Sequence, residues 1–255
     1  MPWAVQITWE GDDRRLLDDL LGAFDVTLTE VEETPCVTSA KFDALGSAAE
    51  VYELAQRLAA AFRLSADANP GIEIKIGTAV YEMAADGEVA KNAFTTASFR
   101  GSGRMTLTGF APTILIQPAD HLSEAEKEAA RVRQAEAEYQ ARLVRISTRV
   151  RAAFVNERAA KVQRLLAKQT LDTTTMNLVE ELITADLGRT WAPLHLEKQR
   201  VRFARSIGHP ETFGDQARHA TSKQKPHPNP MLPVEAEMFV REAAERWYRH
   251  IAARE

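Results

Sequence analysis

Residues 3–24 read WAVQITWEGDDRRLLDDLLGAF, and within this stretch the hydrophobic period lengthens from two residues to about three and a half. Trp3, Val5, Ile7 and Trp9 alternate with Ala4, Gln6 and Thr8, which predicts a strand with one buried face. Beyond the Gly11-Asp12 break, Leu16, Leu17, Leu20, Leu21 and Phe24 recur at helical spacing. Asp12 and Asp13 precede them, where the helix dipole favours anions. The chain therefore opens as a strand followed by a helix that packs on the sheet.

The next hundred residues continue in the same manner. Residues 26–31 and 37–42 have strand composition and are expected to be joined around Thr34-Pro35. Val51, Leu54, Ala55, Leu58, Ala59 and Phe62 mark an amphipathic helix. Past Pro70-Gly71, Ile72, Ile74 and Ile76 alternate with charged residues, Asp86-Gly87 suits a hairpin turn, and further strands are expected through Leu107 and Ile114. The order lacks a regular strand–helix alternation. An α+β fold is predicted, with a mixed or antiparallel sheet and two helices over residues 1–118, followed by a helical bundle over 119–255 that contains one very long helix.

Charge changes with the fold. Residues 1–122 hold nine Lys/Arg against eighteen Asp/Glu, a net of −9; residues 123–255 hold twenty-three against eighteen, a net of +5. Such a split directs attention to an anionic partner for the basic half. With 45% hydrophobic and 27% charged residues the chain has the composition of a folded globular protein. No apolar run reaches the length of about 18 residues that reads as a membrane span. The N-terminus lacks the pattern of a cleaved signal, and a lone Cys36 rules out an internal disulfide framework, so a cytoplasmic protein with no membrane partner is expected.

From Ser123 to Gln169 there is neither Pro nor Gly, and Ser123 with Glu126 matches a capping box. A helix of up to 47 residues follows from that pattern, through which two copies of the chain would pair if it served assembly. Between Arg142 and Lys168 eight cations face only Glu157. Arg142, Arg145 and Arg149 stack along one face of that helix; Arg200, Arg202 and Arg205 follow on a later one, and Lys223 and Lys225 lie in the loop beyond it. These eight residues are the candidate contacts to nucleic acid or to an acidic protein surface, because spaced cations neutralise successive phosphates and release counterions. Intramolecular neutralisation by the acidic half is the competing expectation. Asp172 and Gly188 bracket one further helix, another is expected from Pro193 to Gly208, and the last starts near Pro233. Trp191 and Trp247 are expected to be core anchors.

Residues 209–232 show no period, and the alternating prolines Pro226, Pro228, Pro230 and Pro233 stiffen the second half of this long loop. Five of the six histidines fall in the last 61 residues, with no His-x-x-x-His pair and no supporting cysteine, so no metal site and no cofactor are expected. Arg100-Gly101-Ser102-Gly103-Arg104 lacks the Lys-Ser/Thr of a phosphate-binding P-loop and reads as a hairpin turn. Proton transfer by His219 or His227, with Arg218 holding a phosphate, would cleave RNA without metal. The last third of the chain most nearly resembles the HEPN-type ribonucleases in this respect. Arg218-His219 fits the start of their motif but His227 follows too late; Arg202 to His209 has the better spacing, with Phe203 where the pattern has a polar residue. Three expectations result: a binding protein for a polyanion, a metal-independent ribonuclease using Arg218, His219 and His227, and an assembly subunit paired through residues 123–169.

Overall fold

The computed structural model describes residues 2–254 apart from Asp12, 67–72, 85–87, 95–123, Gln169, Arg189, 215–216 and 218–226. Packing divides the chain into two units, Met1–Ser147 and Thr148–Glu255.

In the first unit, β1 (Trp3–Glu10), α1 (Arg14–Gly22), β2 (Thr27–Val31), β3 (Thr34–Thr38), α2 (Ala40–Asp43), α3 (Ala48–Ala66), β4 (Glu73–Met83) and β5 (Val89–Ala93) follow in order. The five strands form one sheet, β2-β3-β1-β4-β5, antiparallel at every pairing. Leu16, Leu17, Leu20 and Leu21 of α1 are buried, as are Val51, Ala55, Ala59 and Phe62 of α3. Between these helices and the sheet, Ile7, Leu21, Phe42, Leu58, Phe62 and Ile76 line a small space with hydrophobic side chains only. Such a lining offers nothing to orient a ligand, so this is the core. Helix starts are satisfied locally: Asp13 Oδ1 accepts from Leu16 N at 2.9 Å, and Ser47 and Glu50 form a reciprocal cap on α3.

Three sequence expectations change here. Ala4 is as deeply buried as Val5, because β1 is the central strand and the face opposite the helices carries its own cluster of Ala4, Val31, Cys36, Ala79 and Tyr81. The β2–β3 turn falls at Glu32-Glu33 rather than Thr34-Pro35, with positive φ at both residues (49° and 61°), and Thr34 and Pro35 belong to β3. The β1 ladder reaches only Gln6↔Cys36, so the N–H that Pro35 lacks is not required by that neighbour. Phe42 is not in a strand; Ser39 accepts from Lys41 N and starts the short α2, which buries the Phe42 ring. The expected Asp86-Gly87 turn, the Arg100–Arg104 loop and the strands through Leu107 and Ile114 lie outside the described residues.

Helix α4 (Glu124–Val155) begins in the first unit. Its residues 136–142 meet α1 through polar contacts. Arg15 donates to both Glu136 oxygens at 2.7 and 3.0 Å and lies 4.1 Å over the Tyr139 ring, and Tyr139 Oη donates to Asp19 Oδ2 at 2.5 Å. Desolvation, with the Asp19 carboxylate beside it, pushes the Tyr139 phenol up to about 12.

The single helix expected over 123–169 is broken. Asn156 takes an extended conformation (φ −134°, ψ 110°), and its side-chain oxygen caps Arg158 N and Ala159 N, starting α5 (Glu157–Leu166) in a new register. Neither Pro nor Gly is needed, because a capping Asn makes the break and tertiary partners hold it. Asn156 Nδ2 donates to Asp186 Oδ1 at 2.8 Å, and Trp247 Nε1 donates to Asp186 Oδ2 at 2.9 Å. One carboxylate thus ties the break to α6 (Thr173–Leu187) and α9 (Pro233–Ala252).

The rest of the second unit packs around Trp191 and Trp247, both fully buried, with Phe203, Phe239, Tyr248, Val179 and Ile183. Asp172 caps α6 and Gly188, at φ +79°, ends it, as the sequence implies. A 3-10 turn (Ala192–Leu194) precedes α7 (Glu197–Ile207). The expected loop at 209–232 contains α8 (Pro210–Phe213), capped by His209, and residues 227–232 are held against α7 and α9; Arg218, His219, Lys223 and Lys225 lie outside the described residues. Among the described residues no helix is long and apolar enough to cross a membrane.

Two stability predictions result. Replacing Glu32-Glu33 by Asn-Gly relieves two left-handed residues and is expected to raise the unfolding free energy by about 1–2 kcal/mol, read from the urea midpoint. Asp186→Ala strands the buried indole N–H of Trp247 and the Asn156 amide, and is expected to lower stability by about 1–3 kcal/mol in the same measurement.

Candidate nucleic-acid interface

The eight cations singled out from sequence separate into three groups. Four are engaged. Arg142 Nη1 lies 3.8 Å from Asp13 Oδ2, with its Nε buried and unpartnered. Arg149 donates through Nε to Glu245 Oε1 at 2.7 Å, and its side chain is only 21% exposed. Arg200 donates to Glu180 Oε1 at 2.7 Å and lies 5.3 Å over the Trp191 ring. Arg202 donates to the carbonyls of Asn229 (2.7 Å) and Pro230 (3.0 Å) and to Glu235 Oε2 (3.1 Å). Two are exposed, Arg145 on α4 and Arg205 on α7, with no ion pair to any described carboxylate. Lys223 and Lys225 fall outside the described residues.

These pairings serve the fold. Arg200 and Glu180 join α7 to α6 above an indole, where the flat guanidinium lies against the ring and keeps its ion pair. Arg202 fastens the Pro-rich segment: Ser206 Oγ donates to the Arg202 carbonyl at 2.7 Å and accepts from Met231 N at 2.8 Å, and Glu235 also accepts from Leu232 N. That backbone hydrogen bond and the Arg202 charge hold the Glu235 carboxyl below its ordinary range. Two further arginines follow the pattern. Arg241 donates to the carbonyls of Leu166 and Lys168 at the end of α5, where a helix leaves acceptors unmatched, and Arg246 donates to the carbonyl of Leu194.

Among the described residues, α5 carries three open cations on one short helix. The inward side of α5 is Ala159, Val162 and Gln163, all buried, and its exposed positions are Glu157, Arg158, Lys161 and Arg164. The three cations are spaced three residues apart and carry no ion pair to any described carboxylate. Glu157 stands in the first turn, where the helix dipole favours it. Sequence reasoning included these residues in the basic run but chose Arg142, Arg145 and Arg149, because an unbroken helix was assumed. The signal for the alternative was Asn156 followed by apolar residues at 159, 162, 165 and 166.

Of the proposed ribonuclease residues only His227 lies within the described residues; Arg218 and His219 lie outside them. His227 Nδ1 sits 2.8 Å from the Asn229 carbonyl and 3.1 Å from Asn229 N, so this nitrogen is occupied by its own turn. Arg202, of the HEPN-like spacing, is held as above, and His209 is buried with Nδ1 accepting from Glu211 N at 3.3 Å. Among the described residues no group of three or more His, Cys, Asp or Glu is placed to hold a metal ion. Cys36 is buried with no activating cation, and desolvation raises its thiol to about 11, consistent with an inert core residue.

The division into engaged and open cations is testable by stability. Arg149→Ala leaves Glu245 unpaired beside the buried Tyr248 ring and is expected to cost about 1–3 kcal/mol, whereas Arg145→Ala, at an exposed position, should fall within about 0.5 kcal/mol of the parent in chemical denaturation. Comparison of the chain with protein-family models, with curated proteins and with solved structures returned no match, so the site stands on its own geometry.

Proposed function

We propose that the unit Thr148–Glu255 binds a polyanion through the open face of α5, with nucleic acid as the first candidate and an acidic protein surface as the second. The carrying observation is the residue set on that face: after the structural arginines have taken their carboxylates, Arg158, Lys161 and Arg164 remain exposed along one short helix with Glu157 as the sole exposed acid on it. Leaving three cations unpaired on a rigid helix raises the local potential, and each phosphate neutralised releases a counterion. Exposed Arg205, on α7 of the same unit, is a secondary contributor under this reading.

The assembly reading draws less support from the long helix. Val132 and Val144 are its most exposed large apolar residues, 60% and 62%, but they stand twelve positions apart, which places them about 120° apart around the axis rather than on one seam. For the nuclease reading, His227 is the one proposed catalytic residue that is described, and its Nδ1 is taken by Asn229.

Fluorescence anisotropy of the full chain with total cellular RNA fragments and sheared genomic DNA tests the proposal. The apparent Kd is expected to rise steeply with salt. Lys161→Glu combined with Arg164→Glu should weaken binding at least about tenfold while lowering stability by no more than about 1 kcal/mol, the cost of an acid in the last turn of α5. Polyglutamate that competes for the labelled chain itself, with no nucleic-acid binding, would move the reading to an acidic protein partner. Absence of binding to all three polymers at low salt overturns it.

A further inference from the structure

We infer that the nucleic acid taken by the α5 face is read through its phosphate backbone and not through its bases, and that duplex is preferred to single strand. The inference rests on the polyanion reading above and adds to it the mode of recognition. Two observations carry it, one about what the unit offers and one about what it withholds.

The offered groups are cations carried on rigidly spaced backbone positions. Arg158, Lys161 and Arg164 span about 9 Å along a regular helix, with a rise of about 4.5 Å between successive cations. Ala159 and Val162 between them are fully buried in the core, which fixes the helix. A duplex presents charge at regular intervals on a stiff rod, so a stiff cationic helix meets it with both backbones already ordered and only the side chains left to fix. A single strand must be ordered on binding, and proteins that take single strands offset that entropy by stacking bases on aromatic side chains.

No such side chain is on offer in this unit. Its seven Phe, Tyr and Trp residues are Phe154, Trp191, Phe203, Phe213, Phe239, Trp247 and Tyr248. Six are buried at 7% exposure or less and Phe154 is half-buried, while the face of Trp191 is covered by the Arg200 guanidinium. Asn and Gln, the amides that read adenine edges, are scarce on α5 too. Its one amide is Gln163, which is buried and donates to the Arg149 carbonyl at 2.6 Å. Arg158 and Arg164 are able to fork onto a guanine edge, but with no amide or aromatic neighbour on α5 to fix their register over the bases, the three charges position the helix on phosphates.

The experiment uses the full chain and three labelled probes: two 20-base-pair DNA duplexes of unrelated sequence and a 20-nucleotide single strand from one of them. The duplexes are expected to bind within about threefold of each other and tighter than the single strand, and the Arg158→Ala/Lys161→Ala/Arg164→Ala variant should reduce the slope of log K against log salt by about three. A difference between duplexes beyond threefold, or a single strand bound as tightly as duplex or tighter, overturns backbone readout and leaves polyanion binding standing. An unchanged salt slope in the triple variant overturns the assignment of both to α5. Failure of all three probes to bind at low salt overturns this inference, and the parent reading falls with it only where cellular RNA and polyglutamate also fail to bind.

Discussion

The second unit depends on one carboxylate. Asp186 accepts from the amide of Asn156 with one oxygen and from the indole of Trp247 with the other, and by doing so holds a helix break, the end of α6 and the largest core side chain of α9 in fixed relation. The break is what sets the register of α5. With Asn156 extended, Ala159, Val162 and Gln163 turn into the core, and the same step of the helix sends Arg158, Lys161 and Arg164 outward. The proposed binding face is therefore a consequence of a part-buried hydrogen-bond pattern that contains none of its residues. Such networks specify one arrangement strongly because every unpaired member in a low-dielectric interior is costly.

Positive charge in this unit is put to two uses that side-chain environment separates. Arg149, Arg200, Arg202, Arg241 and Arg246 are each bonded to a carboxylate, and the last three also to main-chain carbonyls. A planar fork of donors can serve a helix end, a carboxylate and an aromatic face at once, which a lysine ammonium does not do as well. These arginines are parts of the scaffold, and counting them as ligand contacts overstates the surface. Among the described cations of this unit that have no ion pair to a described carboxylate, three lie together on α5. In the first unit the same rule applies: Arg15 and Arg142 are absorbed by Glu136 and Asp13, so part of the charge split legible in the sequence is consumed by contacts that hold α4 to α1.

The first unit shows where local pattern was sufficient. β1 and α1 were legible from the change of period over residues 3–24, and α3 from its apolar spacing, because each buries one face against the other and amphipathicity records that directly. Glu32-Glu33 was not legible as a turn, since positive φ at two glutamates runs against their intrinsic preference and is imposed by the pairing of β2 with β3 on either side. Burial of Ala4 was missed for a related reason. Whether the second face of a strand is covered depends on its place in the sheet, and a small residue gives no periodic signal.

What the sequence determined by itself was the α+β class, the helix caps at Asp172 and Gly188, the core roles of Trp191 and Trp247, and the existence of a basic half; each follows from side-chain chemistry acting within a few residues or from composition. Tertiary structure alone decided which of the cations are free. An arginine in a helical stripe carries the same local signal whether it meets a carboxylate from another element, as Arg149 meets Glu245 across 96 positions, or faces water, as Arg164 does. Ion pairing is a property of three-dimensional proximity, and the break at Asn156 that fixes this proximity is held by Asp186, thirty residues further along the chain.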